Sequence, residues 1–295
     1  MMPFKAISPL LTDVQENEPM SRHTSFKIGG PAQVLARPKT TEELINIWNT
    51  CHNENIPLTI LGDGTNMLVA DEGLKGVVVL TNKMNEVKIN GTIITAAAGV
   101  RLAKLAEEAC KENLAGLAFA SGIPGTVGGA VYMNAGAYGH EIKDFCQTVQ
   151  MLDNGKSVIV PVEQMGFGYR KSMVQEGRML VLEATFKLTQ GNANEIREEM
   201  KNLNNKRRAS QPLDYPSAGS TFKRPEGYFA GKLIEDCGLK GFSIGGAQVS
   251  EKHAGFVINK GGATAKDVRD LIEAIRQRVH DRFGVWLEPE VRVLR

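Results

Sequence analysis

Cysteine is scarce. Four in 295 residues, Cys51, Cys110, Cys146 and Cys237, form no CxxC pair and no His-rich ligand spacing. That excludes a disulfide framework and leaves no metal site to expect; reduced core thiols in a reducing compartment fit instead. Charge of either sign is not in excess, with 35 Lys and Arg against 33 Asp and Glu, so no nucleic acid or acidic membrane surface is expected as a partner. No apolar run approaches the roughly 20 residues that span a bilayer. Lys5, Pro9 and Asp13 interrupt the N-terminal apolar stretch, which therefore makes no signal peptide. A cytoplasmic chain is expected, and a monomer, since no exposed apolar stripe stands out. Also missing are a GxGxxG opening a helix and a GxxxxGK[ST] motif, which removes the two commonest nucleotide-binding loops.

What is present is a globular composition, 42% apolar and 23% charged, long enough for two domains. The organising stretch is Phe119 to Gly139, FASGIPGTVGGAVYMNAGAYG, with six glycines. Glycines at 122, 125, 128 and 129 leave backbone N–H groups unscreened, so the loop can lie against phosphates or a flat ring, while Pro124 stiffens it and Ile123 and Val127 can face an aromatic ligand. A tightly packed crossover explains the same residues equally well. A second turn, Leu61-Gly62-Asp63-Gly64-Thr65-Asn66-Met67, follows a short strand-like run and shifts the balance. Two such loops suit a ligand with two phosphates and a ring system, a dinucleotide held outside the usual nucleotide folds.

Along the chain, residues 1–20 read as a mobile lead-in and 22–31 as a polar strand closed by a turn, with Arg22 and His23 as its ligand candidates and His23 better read as structural. Thr40 with Glu43 opens a helix to about Asn55. Strands at 57–61 and 76–80 flank the first glycine turn. A hairpin around Asn90-Gly91 spans 86–98, a helix runs from Leu102 to near Asn113, and strands follow at 148–152, 157–160 and 179–188. The helix from about 194 to 208 ends in Lys206, Arg207 and Arg208, a solvated basic end favoured by the macrodipole. Pro, Ser and Gly from Gln211 to Gly227 read as a linker. Beyond it lie a short helix near 229–236, strands at 246–250 and 254–259, a helix capped by Thr264 and stopped by Gly284, and a last strand over 285–294 carrying Glu288 and Glu290 on its polar face.

Six segments in order, HTSFKIGGPA, LGDGTNMLV, FASGIPGTVGGAVYMNAGAYG, FGYRKS, AGSTFKRP and LEPEVR, resemble the UDP-N-acetylenolpyruvoylglucosamine reductases over nearly the whole chain. The resemblance implies an α+β protein: a two-lobed FAD-binding domain of the vanillyl-alcohol-oxidase (PCMH) type at 1–208, with lobes of about 1–82 and 83–208. A smaller α+β substrate-binding domain at 209–284 and a C-terminal strand at 285–295 carrying Glu290 would complete it. It implies non-covalent FAD, NADPH as hydride donor and a nucleotide-sugar substrate, the enolpyruvyl ether of UDP-N-acetylglucosamine, reduced to UDP-N-acetylmuramate for peptidoglycan.

Carried over position by position, the resemblance makes Ser220 the proton donor and Arg170 and Glu290 the substrate-activating pair. The chemistry suits them, because charge developing beside a carboxylate calls for a guanidinium fork and a second donor, and a hydroxyl can protonate an enolate. The cofactor set is Gly62, Asp63, Gly64, Thr65, Asn66 and Met67 from the first loop. From the second come Ser121, Gly122, Ile123, Pro124, Gly125 and Thr126, then Val127, Gly128 and Ala130. Lys223, Arg224 and Lys232 are candidates for the substrate pyrophosphate, Tyr138 and Tyr169 for the sugar–pyruvyl pocket, and Gln211 and His253 for the uridine side. Each has a plainer reading: Ser220 as a cap, Glu290 and Arg170 as ion-pair partners. Two other functions share the glycine loops, a flavin-dependent sugar or alcohol oxidoreductase of the same fold and a nucleotide-sugar-binding regulator without chemistry. Neither requires the Ser220, Arg170 and Glu290 set.

Overall fold

The N-terminus is built into secondary structure in the computed structural model, which describes residues 3–176 and 179–295. A short helix, Pro3–Ile7, and a strand, Val14–Pro19, stand where the sequence suggests a mobile lead-in. The reason is burial: Ile7 and Leu11 enter a core that only the distant chain supplies.

The chain divides into two units, one of residues up to 16, 34–63 and 76–207, the other of 17–33, 64–75 and 208–295. The first has two cores. Thr40 accepts the Glu43 N–H and starts helix Thr41–Asn53, satisfying one of the free donors of a helix N-terminus. Leu44, Ile47 and Cys51 then pack with Val34, Val77 and Val79. Strands Leu58–Leu61 and Leu74–Leu80 run parallel with Leu58 opposite Val77, on one side of a sheet ordered 14–19, 31–36, 74–80, 58–61. Val77, Val78, Val79 and Leu80 are all buried, the continuous apolar run that a parallel strand covered on both faces requires.

The other core of this unit lies on a five-stranded antiparallel sheet ordered 156–161, 146–153, 180–187, 93–97, 87–90. Its first hairpin closes one residue later than expected, with Asn90 opposite Ile93 and Gly91 at φ +58°. Helices Leu102–Lys111, Val127–Met133 and Ala193–Ser210 give Leu102, Leu105, Val127, Val131, Ile196 and Met200 to this core. Each such large side chain contributes about 2 kcal/mol of burial before entropy is counted.

The second unit has a three-stranded antiparallel sheet, 243–244, 247–249 and 257–259, with helices Ala230–Asp236 and Ala265–Phe283. The longer helix carries a reciprocal Thr264 and Asp267 capping box, buries Val268, Leu271, Ile272, Ile275 and Val279 along one face, and ends at Gly284 with φ +69°. Phe26, Ile28 and Leu68 share its core. No strand forms across 22–31. Met20–Arg22 is a 3-10 turn, and the Thr24 hydroxyl bonds the Ile28 carbonyl at 2.8 Å, a local bond that competes with a ladder. His23 Nε2 stands 2.8 Å from Glu18 Oε1. The final strand is confined to Arg292–Leu294, parallel to Met67–Val69; Pro289 has no N–H to donate to a longer ladder, and Val293 is exposed.

Candidate active site

The first unit brings the two glycine-rich loops together. A Cβ on Gly62 would stand 2.2 Å from Thr126 Oγ1, so only glycine lets the loop after strand 58–61 touch the loop before helix 127–133. The Thr126 hydroxyl is buried with no hydrogen-bond partner. Arg101 joins the same point: its backbone bridges Thr126 and its Nε donates to Asp63 Oδ2 at 2.8 Å. At the start of the helix, Val127 and Gly128 donate to the carbonyls of Val100 and Ala98. A buried hydroxyl without a partner and a side-chain-free approach are what a bound phosphate-bearing cofactor requires. FAD is the group these residues fit.

Further along this loop, Ser121 donates to the Ala118 carbonyl at 2.8 Å and accepts from Asn204 at 3.2 Å. A Cβ on Gly122 would stand 2.5 Å from Asn204 Oδ1, so a side chain there would displace the Asn204 amide. Helix 193–210 therefore lines the loop. Arg207 on it is half-buried, and burial holds its pKa below the usual guanidinium value, which corrects the reading of 206–208 as a solvated end; Lys206 and Arg208 do face solvent. Val127 is wholly buried among its own unit's core residues, whereas Ile123 is only half-buried.

Arg170 lies in the same unit, in a tight turn closed by reciprocal bonds between Gly168 and Lys171 at 3.0 and 3.1 Å. Its φ is +55°, a left-handed conformation that costs a residue with a Cβ about 1 kcal/mol or more. The guanidinium lies over the Tyr169 ring, 5.0 Å from its centre, and reaches the Gly136 carbonyl at 3.4 Å. Gly136 opens the short hairpin whose tip carries Tyr138, and the Tyr138 hydroxyl donates to the Leu203 carbonyl at 2.9 Å.

The second unit holds the remaining candidates. Glu290 N–H donates to the Thr221 carbonyl at 2.8 Å, and Lys223 N–H to the Glu288 carbonyl at 2.9 Å. This strip lies antiparallel around Phe222 and Pro289 and brings the Ser220 and Glu290 segments side by side. Asn66 fixes the Glu290 segment from both sides, donating to the Glu290 carbonyl at 3.1 Å and accepting the Arg292 N–H at 3.0 Å. Gly64 admits the chain against the His23 carbonyl, 2.4 Å from where its Cβ would sit. Thr65 adds its carbonyl to the Ser25 hydroxyl at 3.3 Å, and Met67 is in the strand opposite Arg292.

Ser220 is exposed and is no helix cap: the next helix starts after Phe229, without a side-chain bond. Lys223 Nζ stands 2.5 Å from Glu288, Lys232 pairs with Asp236 one turn on, and Arg224 stacks on Phe229 at 4.1 Å. His253 Nδ1 accepts the Gly255 N–H at 3.1 Å, its ring is edge-on to Phe256, and burial lowers its pKa. Gln211 lies near the start of the second unit's long segment, which begins at Arg208, its carbonyl bonded by Leu213 N–H.

Sequence reasoning missed Arg101, Asn134, Gln175 and Asn204. Arg101, Gln175 and Asn204 are common polar residues in unremarkable stretches, and Asn134 is hidden among the small residues of the glycine-rich stretch; only contacts across the fold give each a part in the site. All four cysteines are free, and burial pushes Cys51 to about 11 and Cys146 to about 12, so these thiols stay protonated and unreactive.

The two α+β units and the paired loops define a flavin-binding oxidoreductase. A family model described as FAD binding domain matches residues 32–160, and one described as UDP-N-acetylenolpyruvoylglucosamine reductase, C-terminal domain, matches residues 211–294. The UDP-N-acetylenolpyruvoylglucosamine reductase of Caldanaerobacter subterraneus subsp. tengcongensis is 55% identical over 94% of this chain and 92% of its own length. That of Clostridium perfringens strain SM101 is 48% identical over 96% and 93%. The crystal structure of the Thermus caldophilus enzyme superposes with a TM-score of 0.82 at 35% identity, covering 96% of this chain and 98% of that one. The chain belongs to the UDP-N-acetylenolpyruvoylglucosamine reductase family.

Proposed function

We propose that this chain reduces the enolpyruvyl ether of UDP-N-acetylglucosamine to UDP-N-acetylmuramate, with non-covalent FAD and NADPH as the hydride source. The flavin, when bound, supplies hydride transfer. The cofactor is assigned to the domain ending near 208 and held by the loops around Gly62 and Thr126. The sugar nucleotide goes to 209–284, with Glu290 from the C-terminal segment. The chain's own residues do the rest. Arg170 holds the substrate carboxylate by a charge-assisted fork, Glu290 adds a second donor, and both stabilise charge as it builds on the carbon next to that carboxylate. Ser220 gives its hydroxyl proton to that carbon, which is basic enough to accept it from a serine. Lys223, Arg224 and Lys232 meet the pyrophosphate, Tyr138 and Tyr169 the sugar and pyruvyl groups, and Gln211 and His253 the uridine.

The observation that carries this reading is Ser220: an exposed hydroxyl with no capping task, on a segment tied to that of Glu290 by backbone bonds. The reading includes a cytoplasmic monomer without nucleic-acid or membrane partners, and four free thiols accord with a reducing compartment. Among the described residues no helix is long and apolar enough to cross a membrane. NADPH oxidation with and without the enolpyruvyl UDP-sugar, on wild type and Ser220→Ala, tests it. Substrate-dependent oxidation is expected to fall roughly 100- to 10,000-fold in the variant, with the flavin spectrum intact. Full activity in Ser220→Ala would assign the proton to another group.

A further inference from the structure

Beyond the reciprocal Gly168 and Lys171 bonds that close it, the Arg170 turn is held from outside. A residue with a Cβ leaves the left-handed region unless its surroundings fix it there, and at Arg170 two side-chain amides do so. Gln175 Nε2 donates to the Arg170 carbonyl at 3.0 Å and to the Tyr132 carbonyl at 2.6 Å, linking the turn to the last turn of helix 127–133. Asn134, wholly buried, donates to the Gly168 carbonyl at 3.0 Å and to Glu141 Oε2 at 2.9 Å, and its Oδ1 accepts the Lys143 N–H at 3.1 Å. Asn134 is itself left-handed, φ +41°, at the end of that helix. Ser172, also wholly buried, donates to the same Tyr132 carbonyl at 2.8 Å. The chain on both sides of Arg170 is thus tied to the segment that follows the second glycine loop.

We infer that Gln175 and Asn134 are positioning residues for Arg170, holding its backbone in the left-handed turn from which the guanidinium reaches the Gly136 carbonyl. This rests on the role given to Arg170 above. The chemistry is specific to a carboxamide: one nitrogen with two hydrogens can bridge two carbonyls, which neither a carboxylate nor an apolar side chain can do. Gln175 is the cleaner probe, because Asn134 also ties Glu141 and Lys143.

Gln175→Leu, made in wild type and in Arg170→Ala, separates positioning from general structure. The readouts are kcat and KM for the enolpyruvyl UDP-sugar, flavin absorbance per protein, and hydrogen exchange in a peptide covering 166–172. In wild type, Gln175→Leu is expected to lower kcat/KM roughly 10- to 100-fold, as a small misplacement of a substrate-holding group does. Flavin content should hold and exchange at 166–172 should quicken. In the Arg170→Ala background the same change should cost less than about twofold, the signature of two residues acting as one. An equal loss in both backgrounds, or unchanged exchange, would overturn the inference. If Arg170→Ala itself keeps wild-type kcat/KM, the role of Arg170 fails, and exchange at 166–172 still decides whether Gln175 holds the turn. Should Gln175→Leu not fold, Gln175→Glu, of equal size but with a carboxylate that donates to neither carbonyl, takes its place with the same expected results.

Discussion

Arg101 donates through Nε to Asp63 Oδ2 at 2.8 Å while its backbone bridges Thr126, so a single residue ties both glycine-rich loops together. With the FAD diphosphate at these loops, as proposed, the Asp63 carboxylate would repel it unless a cation compensated, and Arg101 would supply that cation. Arg101→Ala should weaken FAD binding roughly 10-fold, because one uncompensated charge then faces the phosphates. The pair is largely solvent-exposed on the arginine side, so the apoprotein should lose under about 1 kcal/mol. Asp63→Asn added to Arg101→Ala should recover much of the affinity. Flavin fluorescence titration of the three proteins checks this.

Gly62 is a steric requirement. Its replacement by alanine puts a methyl group 2.2 Å from Thr126 Oγ1, and the overpacked loops should lose about 1–3 kcal/mol together with bound flavin. Thr126→Ala, which removes the clashing hydroxyl, should restore part of the stability of Gly62→Ala. Thermal unfolding of single and double variants reads the suppression.

Asp71 anchors the segment 64–75 within the second unit. Its carboxylate accepts Ala265 N–H at 2.7 Å and Lys266 N–H at 3.0 Å, capping helix 265–283 with a negative charge where the dipole favours one. Asp71→Ala should cost about 1 kcal/mol, a fall in Tm of about 2–4 °C for a body of this size. A change in Tm within error would show that Thr264 alone suffices as the cap.

His253 gives the second unit a pH dependence. Burial is the main cause lowering its pKa below 6.5, helped by Lys240 and opposed by its own backbone hydrogen bond and by Glu235. With the folded value depressed, the unfolded chain binds more protons between the two pKa values. The contribution is therefore complete above about 6.5 and is lost as pH falls through the folded value. An NMR titration of the His253 ring should show a midpoint below that of a denatured control; a midpoint at or above it would mean the ring is solvated.

Much of the fold is legible in the sequence because its causes are local. Thr40, Thr264 and Gly284 mark helix ends through bonds and backbone freedom within a turn or less, and the apolar run to Leu80 announces a strand by composition. The differences have local causes, the Thr24 bond to Ile28 and the missing N–H of Pro289, and a long-range one. The lead-in, the segment 22–31 and the chain around Pro289 are placed by partners far along the chain: Ile7 by a core it does not build, Phe26 by helix 265–283's core, Glu290 by Asn66 and Thr221.

The sequence by itself determined the ordered motifs, the two glycine-rich loops and the identities of Ser220, Arg170 and Glu290, because residue type and short spacing carry that information. Only the tertiary structure decided that Thr126 fills the space Gly62 leaves, that Arg101 neutralises Asp63 and that Gln175 and Asn134 hold Arg170. Those relationships join residues tens of positions apart, and hydrogen bonds of this kind exist only after the packed cores have fixed the backbone that presents them.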